Sequence, residues 1–143
     1  MEDKSRFWSV RVSNGFWRSI LLHLPAILYM GLIFYVSSLR SVSPPSIGLA
    51  IEDKFYHFGE YALLSLFLYV ALLSYRHGSI QSRIHIIAVV IACIFAGTDE
   101  LHQYFVPGRE STVGDLIADF LGAISSQVAI WYYLRLRRQK SID

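Results

Sequence analysis

The chain has 143 residues, of which 54% are hydrophobic and only 17% are charged, whereas soluble domains carry about 25% charged residues. The formal net charge is +2 and the basic residues form no continuous stripe, so the sequence argues against nucleic-acid binding. The single cysteine, Cys93, excludes an intrachain disulfide and is interpreted as a small buried hydrophobic residue.

Four apolar segments are long enough to cross a membrane as helices, because about 20 mostly apolar residues span a hydrocarbon core of about 30 Å. They are predicted at about 19–39, 53–75, 84–105 and 115–134. The first is too long for a cleavable signal peptide and is interpreted as a retained helix. Turn-forming residues at 41–46, 76–79 and 106–109 separate the segments. Such short links predict an all-α fold, an integral membrane antiparallel bundle of four transmembrane helices.

The distribution of basic residues predicts the orientation of the bundle. Ten of them fall on the side of the two termini: Lys4, Arg6, Arg11, Arg18, Arg76, Arg83, Arg135, Arg137, Arg138 and Lys140. The other side holds Arg40, Lys54 and Arg109. We therefore expect a multi-pass protein of the cytoplasmic (inner) membrane with both termini in the cytoplasm.

The expected organisation is a cytoplasmic arm at 1–18, a transmembrane domain at 19–134 and a basic cytoplasmic tail at 135–143. The arm mixes aromatic with basic residues, and two interpretations stay open: an amphipathic segment on the membrane surface, or a leader that only sets topology. On the fourth helix Ala118, Gly122 and Ser126 recur at every fourth position, which indicates close helix packing.

Acidic residues gather on the side opposite to the termini. Eight of the eleven lie there: Glu52, Asp53, Glu60, Asp99, Glu100, Glu110, Asp115 and Asp119. A carboxylate within a membrane span is costly to expose to lipid, so those of Glu60, Asp99 and Asp119 are expected to face the bundle interior. Helical spacing gives three helices a polar face at this level: Asp53, His57, Glu60 and Tyr61; Asp99 and Gln103; Asp115 and Asp119. Lys54 and Arg109 are the expected cationic partners.

Three motifs resemble those of VanZ-like membrane proteins. Residues 53–61 resemble D-K-x-x-H-x-x-x-Y, and residues 99–109 resemble D-E-x-x-Q-x-F-x-P-G-R. Residues 115–123 resemble D-x-x-x-N-x-x-G-A, with Asp119 where the pattern often has Asn. Phe34 to Ser38 is similar to the S-S ending of that family's first helix, so the resemblance covers about 34–123. It implies the four-helix fold and the polar site, in a family named for an accessory protein associated with low-level resistance to the glycopeptide teicoplanin.

The preferred hypothesis is an outward-facing site that binds an envelope lipid or its headgroup, and that could thereby change how lipid-bearing teicoplanin meets its target. Arg109 would engage an anionic group, while Asp99 and Glu100 position it or exchange protons with it. The candidate ligand-binding residues are Asp53, Lys54, His57, Tyr61, Asp99, Glu100, Gln103, Arg109, Asp115 and Asp119. The expected partners are the lipid bilayer and this lipid or lipid-linked ligand, but no nucleic acid, and a homo-oligomer is left open.

Several alternatives stay open. A membrane enzyme acting on a lipid-linked substrate would draw its catalytic residues from His57, Glu60, Asp99 and Glu100, although no base is tied by sequence to Ser37 or Ser38. An accessory subunit would use the polar cluster only as a clasp between helices. A divalent metal could be held by His57, Glu60, Asp99, His102 and Asp115, but without an HExxH pattern no metal ligand or cofactor is assigned.

Transport is disfavoured, since no acidic residue lies at the membrane midplane. His23, His77 and His85 are interpreted as packing, loop or interface residues.

Overall fold

A computed structural model describes residues 4–39, 52–75, 78–109 and 111–140, with only the backbone described at 4–14, 52 and 81. The predicted turn at 41–46, Arg40, Glu110 and the link residues Arg76 and His77 lie outside the described residues, and so do the basic side chains of 4–11. Within the described ranges the secondary structure is helical and contains no strand. The predicted all-α class is therefore confirmed.

The described residues form four long helices and one short one: α1 (Lys4–Ser37), α2 (Glu52–Leu72), α3 (Gly78–Gln81), α4 (Ile84–Phe105) and α5 (Val113–Gln139). Four spans are long and apolar enough to cross a membrane: Gly15–Ser37, Asp53–Leu72, Ile84–Phe105 and Val113–Gln139. These are the four predicted transmembrane helices. The helix α4 has the predicted bounds, whereas α1 begins before, and α5 ends after, the predicted limits.

Contacts between helix ends show how the long helices are arranged. Ser37, the last residue of α1, donates a hydrogen bond of 2.9 Å to Asp99 near the end of α4. Lys54, in the first turn of α2, pairs with Asp115 in the first turn of α5. His57 Nδ1 on α2 lies 3.9 Å from Glu100 Oε1 on α4 and so joins these two pairs. Together the contacts place the ends of α1 and α4 beside the starts of α2 and α5, as in the predicted antiparallel bundle. We call this the site end, and the opposite one the terminal end.

The helices α2 and α5 are in backbone contact at Gly122. A Cβ atom added there would lie 2.1 Å from the carbonyl oxygen of Phe58 and 3.1 Å from the backbone nitrogen of Ala62. Only a residue without a side chain allows this approach. The close packing predicted from the small-residue spacing is therefore confirmed at Gly122, and it holds α5 against α2 just beyond the site end.

A polar network joins α2, α4 and α5 toward the terminal end. The Gln127 amide nitrogen donates to the carbonyl oxygen and the hydroxyl of Ser65, at 2.8 and 2.9 Å. The Ser65 hydroxyl donates to the carbonyl oxygen of Ala123 at 3.1 Å, and His85 Nδ1 lies 2.9 Å from Gln127 Oε1. Tyr69 stacks on the His85 ring at a centroid distance of 5.0 Å. The interpretation of His85 as a residue of the membrane–water interface is therefore incomplete, because its side chain also forms a hydrogen bond to Gln127 on α5.

Large apolar side chains cover the outside of the long helices. Leu28 on α1, Leu66 on α2, Ile86 and Ile94 on α4 and Val128 on α5 are all exposed. Contiguous apolar surface of this extent would promote association in water, whereas it is the expected outer surface of helices that face lipid. The bilayer is therefore the environment of these helices, and the polar side chains turn inward.

Candidate functional site

The first contact at the site end joins the starts of α2 and α5. Lys54 pairs with Asp115, whose side chain is only 1% exposed. Thr112 is the N-cap of α5: its hydroxyl donates to Asp115 Oδ2 at 2.6 Å and accepts from the Asp115 backbone nitrogen at 3.3 Å. Asp53, with a side chain 56% exposed, lies 3.5 Å from the Lys54 amino group. The buried Asp115 carboxylate is thus neutralised by one cation and fixed by the helix cap.

One turn deeper, His57 connects three helices. Its Nδ1 lies 3.0 Å from Asp119 Oδ1 on α5 and 3.9 Å from Glu100 Oε1 on α4. The other Glu100 oxygen accepts a hydrogen bond of 2.5 Å from the Ser111 hydroxyl. Both carboxylates are buried. An imidazole between two buried carboxylates can hold a proton, and a bound cation can replace that proton.

A separate group joins α1 to α4. Asp99 Oδ2 accepts hydrogen bonds from the Ser37 hydroxyl at 2.9 Å and from the Gln103 amide at 2.8 Å. Beside it, the Ser38 hydroxyl lies 2.9 Å from His102 Nε2. The sequence tied no base to either serine. The structure places a histidine next to Ser38, but the Ser38 hydroxyl donates its proton to the Phe34 carbonyl oxygen at 2.7 Å. These contacts hold the end of α1 against the bundle.

A cavity of about 500 Å³ opens among α1, α2 and the end of α4. Its lining combines polar and apolar side chains: Tyr29, Val36, Ser37, Asp53, Phe55, Tyr56, His57, Gly59, Glu60, Leu63, Gln103 and Arg109. Gly108, with a positive φ of 86°, makes the turn after α4 that precedes Arg109. The volume lies within the range of small-molecule sites, about 300–1,000 Å³.

Comparison of the sequence with known proteins identifies its family. The family model described as VanZ/LLP1 matches residues 4–135. The chain belongs to the VanZ/LLP1 family. No curated protein and no solved structure matches it.

The motifs that suggested a VanZ-like protein supply most of the site-end contacts. Residues 53–61 contribute Lys54 and His57, residues 99–109 contribute Asp99, Gln103 and Arg109, and residues 115–123 contribute the carboxylates of α5. The Ser-Ser pair at the end of α1 contributes both of its hydroxyls. In this VanZ/LLP1 protein the predicted polar faces of α2 and α5 meet through Lys54–Asp115 and His57–Asp119. The predicted face of α4, Asp99 and Gln103, bonds instead to Ser37 at the end of α1.

The predicted ligand-binding residues take three kinds of position. Four of them line the cavity: Asp53, His57, Gln103 and Arg109. Others are bonded to these or to one another: Lys54, Asp99, Glu100, Asp115 and Asp119. Tyr61 lies apart, fully buried in the apolar core, with its ring 6.4 Å from that of Phe95. Glu60, a catalytic candidate, also lines the cavity. Their roles toward a ligand remain predictions.

Sequence reasoning missed some residues that complete the site. Thr112 and Asp115 follow the T-x-x-D form of the capping box, which was a readable signal for the start of α5. Ser111 had no such signal, because its bond to Glu100 depends on the fold of the loop. In the terminal-end network, Gln127 is an amide within an apolar span, a position that normally indicates a hydrogen bond to another helix.

Three buried carboxylate oxygens at the site end have unused bonding capacity. They are Asp99 Oδ1, Glu100 Oε1 and Asp119 Oδ2, and none has a hydrogen-bond partner among the residues that the structure describes. Buried polar atoms normally find partners. These oxygens are therefore available to a ligand, an ion or bound water.

Two groups of side chains bring together atoms that could bind a metal ion. Candidate ligand atoms lie within 4.8 Å of one another in the set His57, Glu100 and Asp119, and likewise in the set Asp53, His57 and Asp115. In the second set Asp115 is already occupied by Lys54 and Thr112. The first set therefore has the greater free capacity, although the sequence assigned no metal ligand.

Proposed function

We propose that this VanZ/LLP1 protein binds the polar headgroup of an envelope lipid in the cavity at its site end. The observation that carries the proposal is the cavity itself, which combines the Arg109 guanidinium with the hydroxyl of Ser37 and the amide of Gln103. A guanidinium pairs with phosphate or carboxylate through two parallel hydrogen bonds. The Ser37 hydroxyl and the Gln103 amide both donate to Asp99 and so fix the cavity wall near Arg109.

The aromatic side of the cavity supports an amphiphilic ligand. Phe55 and Tyr56 line the cavity and are also exposed, by 60% and 43% of their surface. They therefore belong both to the cavity wall and to the outer surface that meets lipid. A molecule with its headgroup in the cavity could extend its acyl chains along these side chains and remain in the bilayer.

The charge distribution supports a site that faces outward. Among the described side chains, the cations at the terminal end include Arg83, Arg135 and Arg138, whereas Lys54 and Arg109 lie at the site end. Basic residues near helix ends mark the cytoplasmic side. The proposed ligand is therefore a lipid of the outer leaflet of the cytoplasmic membrane. A protein that holds such a lipid could alter how teicoplanin, itself lipid-bearing, reaches its target.

Native mass spectrometry of the full chain in mild detergent tests the proposal. We expect the wild type to retain an anionic lipid and Arg109→Ala to lose it by at least about tenfold, since a charge-assisted contact contributes about 1.5–3 kcal/mol. Arg83→Ala is the matched control, because it removes the same side chain at the terminal end. Arg109→Lys keeps the charge but not the planar fork, and we expect it to retain less lipid than the wild type.

Thermal unfolding of each variant establishes that the comparison is made on folded protein. Equal retention of the lipid by wild type and Arg109→Ala would refute the assignment of Arg109. Bare protein in every sample would refute lipid binding and favour the interpretation of the polar cluster as a clasp between helices.

A further inference from the structure

The contact among His57, Glu100 and Asp119 differs from an ordinary buried ion pair. The three residues come from α2, α4 and α5 and meet inside the bundle, with one candidate ligand atom from each within 4.8 Å of the others. Asp119 is 1% exposed and Glu100 is 7% exposed. Because each residue is carried by a different helix, the arrangement depends on the assembled bundle.

One of the two distances from His57 equals the spacing between neighbouring ligands of a metal ion, and the other is about 0.5 Å longer than that range. Ligands about 2.1 Å from a metal are about 3.0 Å apart at a right angle and about 3.4 Å apart in a tetrahedron. His57 Nδ1 lies 3.0 Å from Asp119 Oδ1 and 3.9 Å from Glu100 Oε1. A small rotation of the Glu100 carboxylate would bring the longer distance into this range.

Unused oxygens provide an independent indication of a ligand. Glu100 Oε1, which faces His57 Nδ1, and Asp119 Oδ2 have no hydrogen-bond partner among the described residues. A pairing with protonated His57 uses Asp119 Oδ1 and leaves both of these oxygens unsatisfied in a buried position, which is costly. A cation that contacts Glu100 Oε1 and both oxygens of the Asp119 carboxylate would satisfy them.

The negative charge at the site end would also be reduced by a bound cation. The described side chains there include six carboxylates: Asp53, Glu60, Asp99, Glu100, Asp115 and Asp119. Among the described side chains two permanent cations, Lys54 and Arg109, oppose them, so six minus two leaves four formal negative charges within this described set to be compensated by protons or bound cations. An anionic headgroup entering the cavity would add to this excess, whereas a divalent ion would reduce it.

We propose that His57, Glu100 and Asp119 bind a divalent metal ion of the Mn²⁺ or Zn²⁺ class. One imidazole and two carboxylates suit such ions better than Ca²⁺, which takes oxygen ligands only, or Cu⁺, which prefers sulfur. The ion replaces the proton between His57 and Asp119. Since His57 also lines the cavity, the ion lies beside the proposed headgroup site, but its binding does not depend on a lipid.

Metal analysis of the full chain, purified in detergent without chelator, tests the site. We expect about one ion per chain by inductively coupled plasma mass spectrometry. After removal of the metal, adding Mn²⁺ or Zn²⁺ should restore one bound ion per chain. The Mn²⁺ titration is followed by the electron paramagnetic resonance signal of the free ion. Asp119→Asn keeps the shape of the side chain, and both it and His57→Gln should weaken binding at least about tenfold.

The matched control is His23→Gln. His23 lies on α1 and its Nδ1 is bonded to the Ser19 carbonyl oxygen at 2.8 Å, so we expect its removal to leave metal binding unchanged. Equal binding by the wild type and Asp119→Asn, both shown to be folded by thermal unfolding, would mean adventitious metal and overturn the proposal. So would a wild type that neither contains nor takes up either metal. If that protein still retained lipid, the ion site would be refuted while the proposed function stood.

Discussion

Replacing Gly122 by alanine should separate α5 from α2. The added Cβ would lie 2.1 Å from the Phe58 carbonyl oxygen, whereas carbon and oxygen approach to about 3.3 Å, so the helices must move apart by about 1.2 Å. The Ser65 bond to the Ala123 carbonyl oxygen, now 3.1 Å, would then be lost. Overpacking against backbone costs up to about 3 kcal/mol. The lost interhelical bond adds about 0.6 kcal/mol, and higher helix propensity returns about 1 kcal/mol.

The net expectation for Gly122→Ala is a loss of up to about 2.6 kcal/mol in the free energy of unfolding, which corresponds to a fall of up to roughly 10 °C in Tm. Thermal unfolding in detergent measures it. Gly97→Ala on α4 is the control, because an added Cβ there meets nothing within 4 Å, and its Tm should stay the same or rise slightly. If the two alanine variants unfold at the same temperature, the backbone contact between α2 and α5 does not exist as described.

Two further predictions concern the paired charges and the orientation. Lys54→Met should lower the free energy of unfolding by about 3 kcal/mol because it leaves the buried Asp115 carboxylate without its cation. Adding Asp115→Asn should recover part of this loss. If the two substitutions have additive effects in a double-mutant cycle measured by thermal unfolding, the pairing is contradicted. In a Cys93→Ala background, a membrane-impermeant maleimide should label Arg109→Cys in intact cells but Lys140→Cys only after permeabilisation, and the reverse labelling would invert the proposed topology.

The sequence predicted where helices cross the membrane better than where they begin and end. The bounds of α4 were predicted correctly because its apolar residues stop just before Pro107 and Gly108, which break the helix. The helix α5 instead continues through Arg135 and Arg137 to Gln139. Hydropathy marks the boundary of the hydrocarbon, and a helix can extend beyond it into the interface with its charged side chains solvated.

For the site, spacing along each helix predicted which residues share a face but could not predict the pairs. Asp53 and Asp115 were both reasonable partners for Lys54, and the structure buries the pair with Asp115 while Asp53 stays largely exposed. The choice depends on the rotation of α2 and α5 about their axes. That rotation is set by the contact at Gly122, whose small-residue spacing was visible in the sequence without naming the helix it packs against.

The pairing of α2 with α5 has a consequence for the biogenesis of the protein. Lys54 and His57 enter the membrane with α2, while their partners Asp115 and Asp119 lie on α5, which the ribosome makes after α2 and α4. During translation the charged side chains of α2 must therefore remain near water or in the insertion machinery until α5 arrives. A chain truncated after α4 should accordingly be recognised by membrane proteases, because it retains the costs of burying these groups and lacks the helix that offsets them.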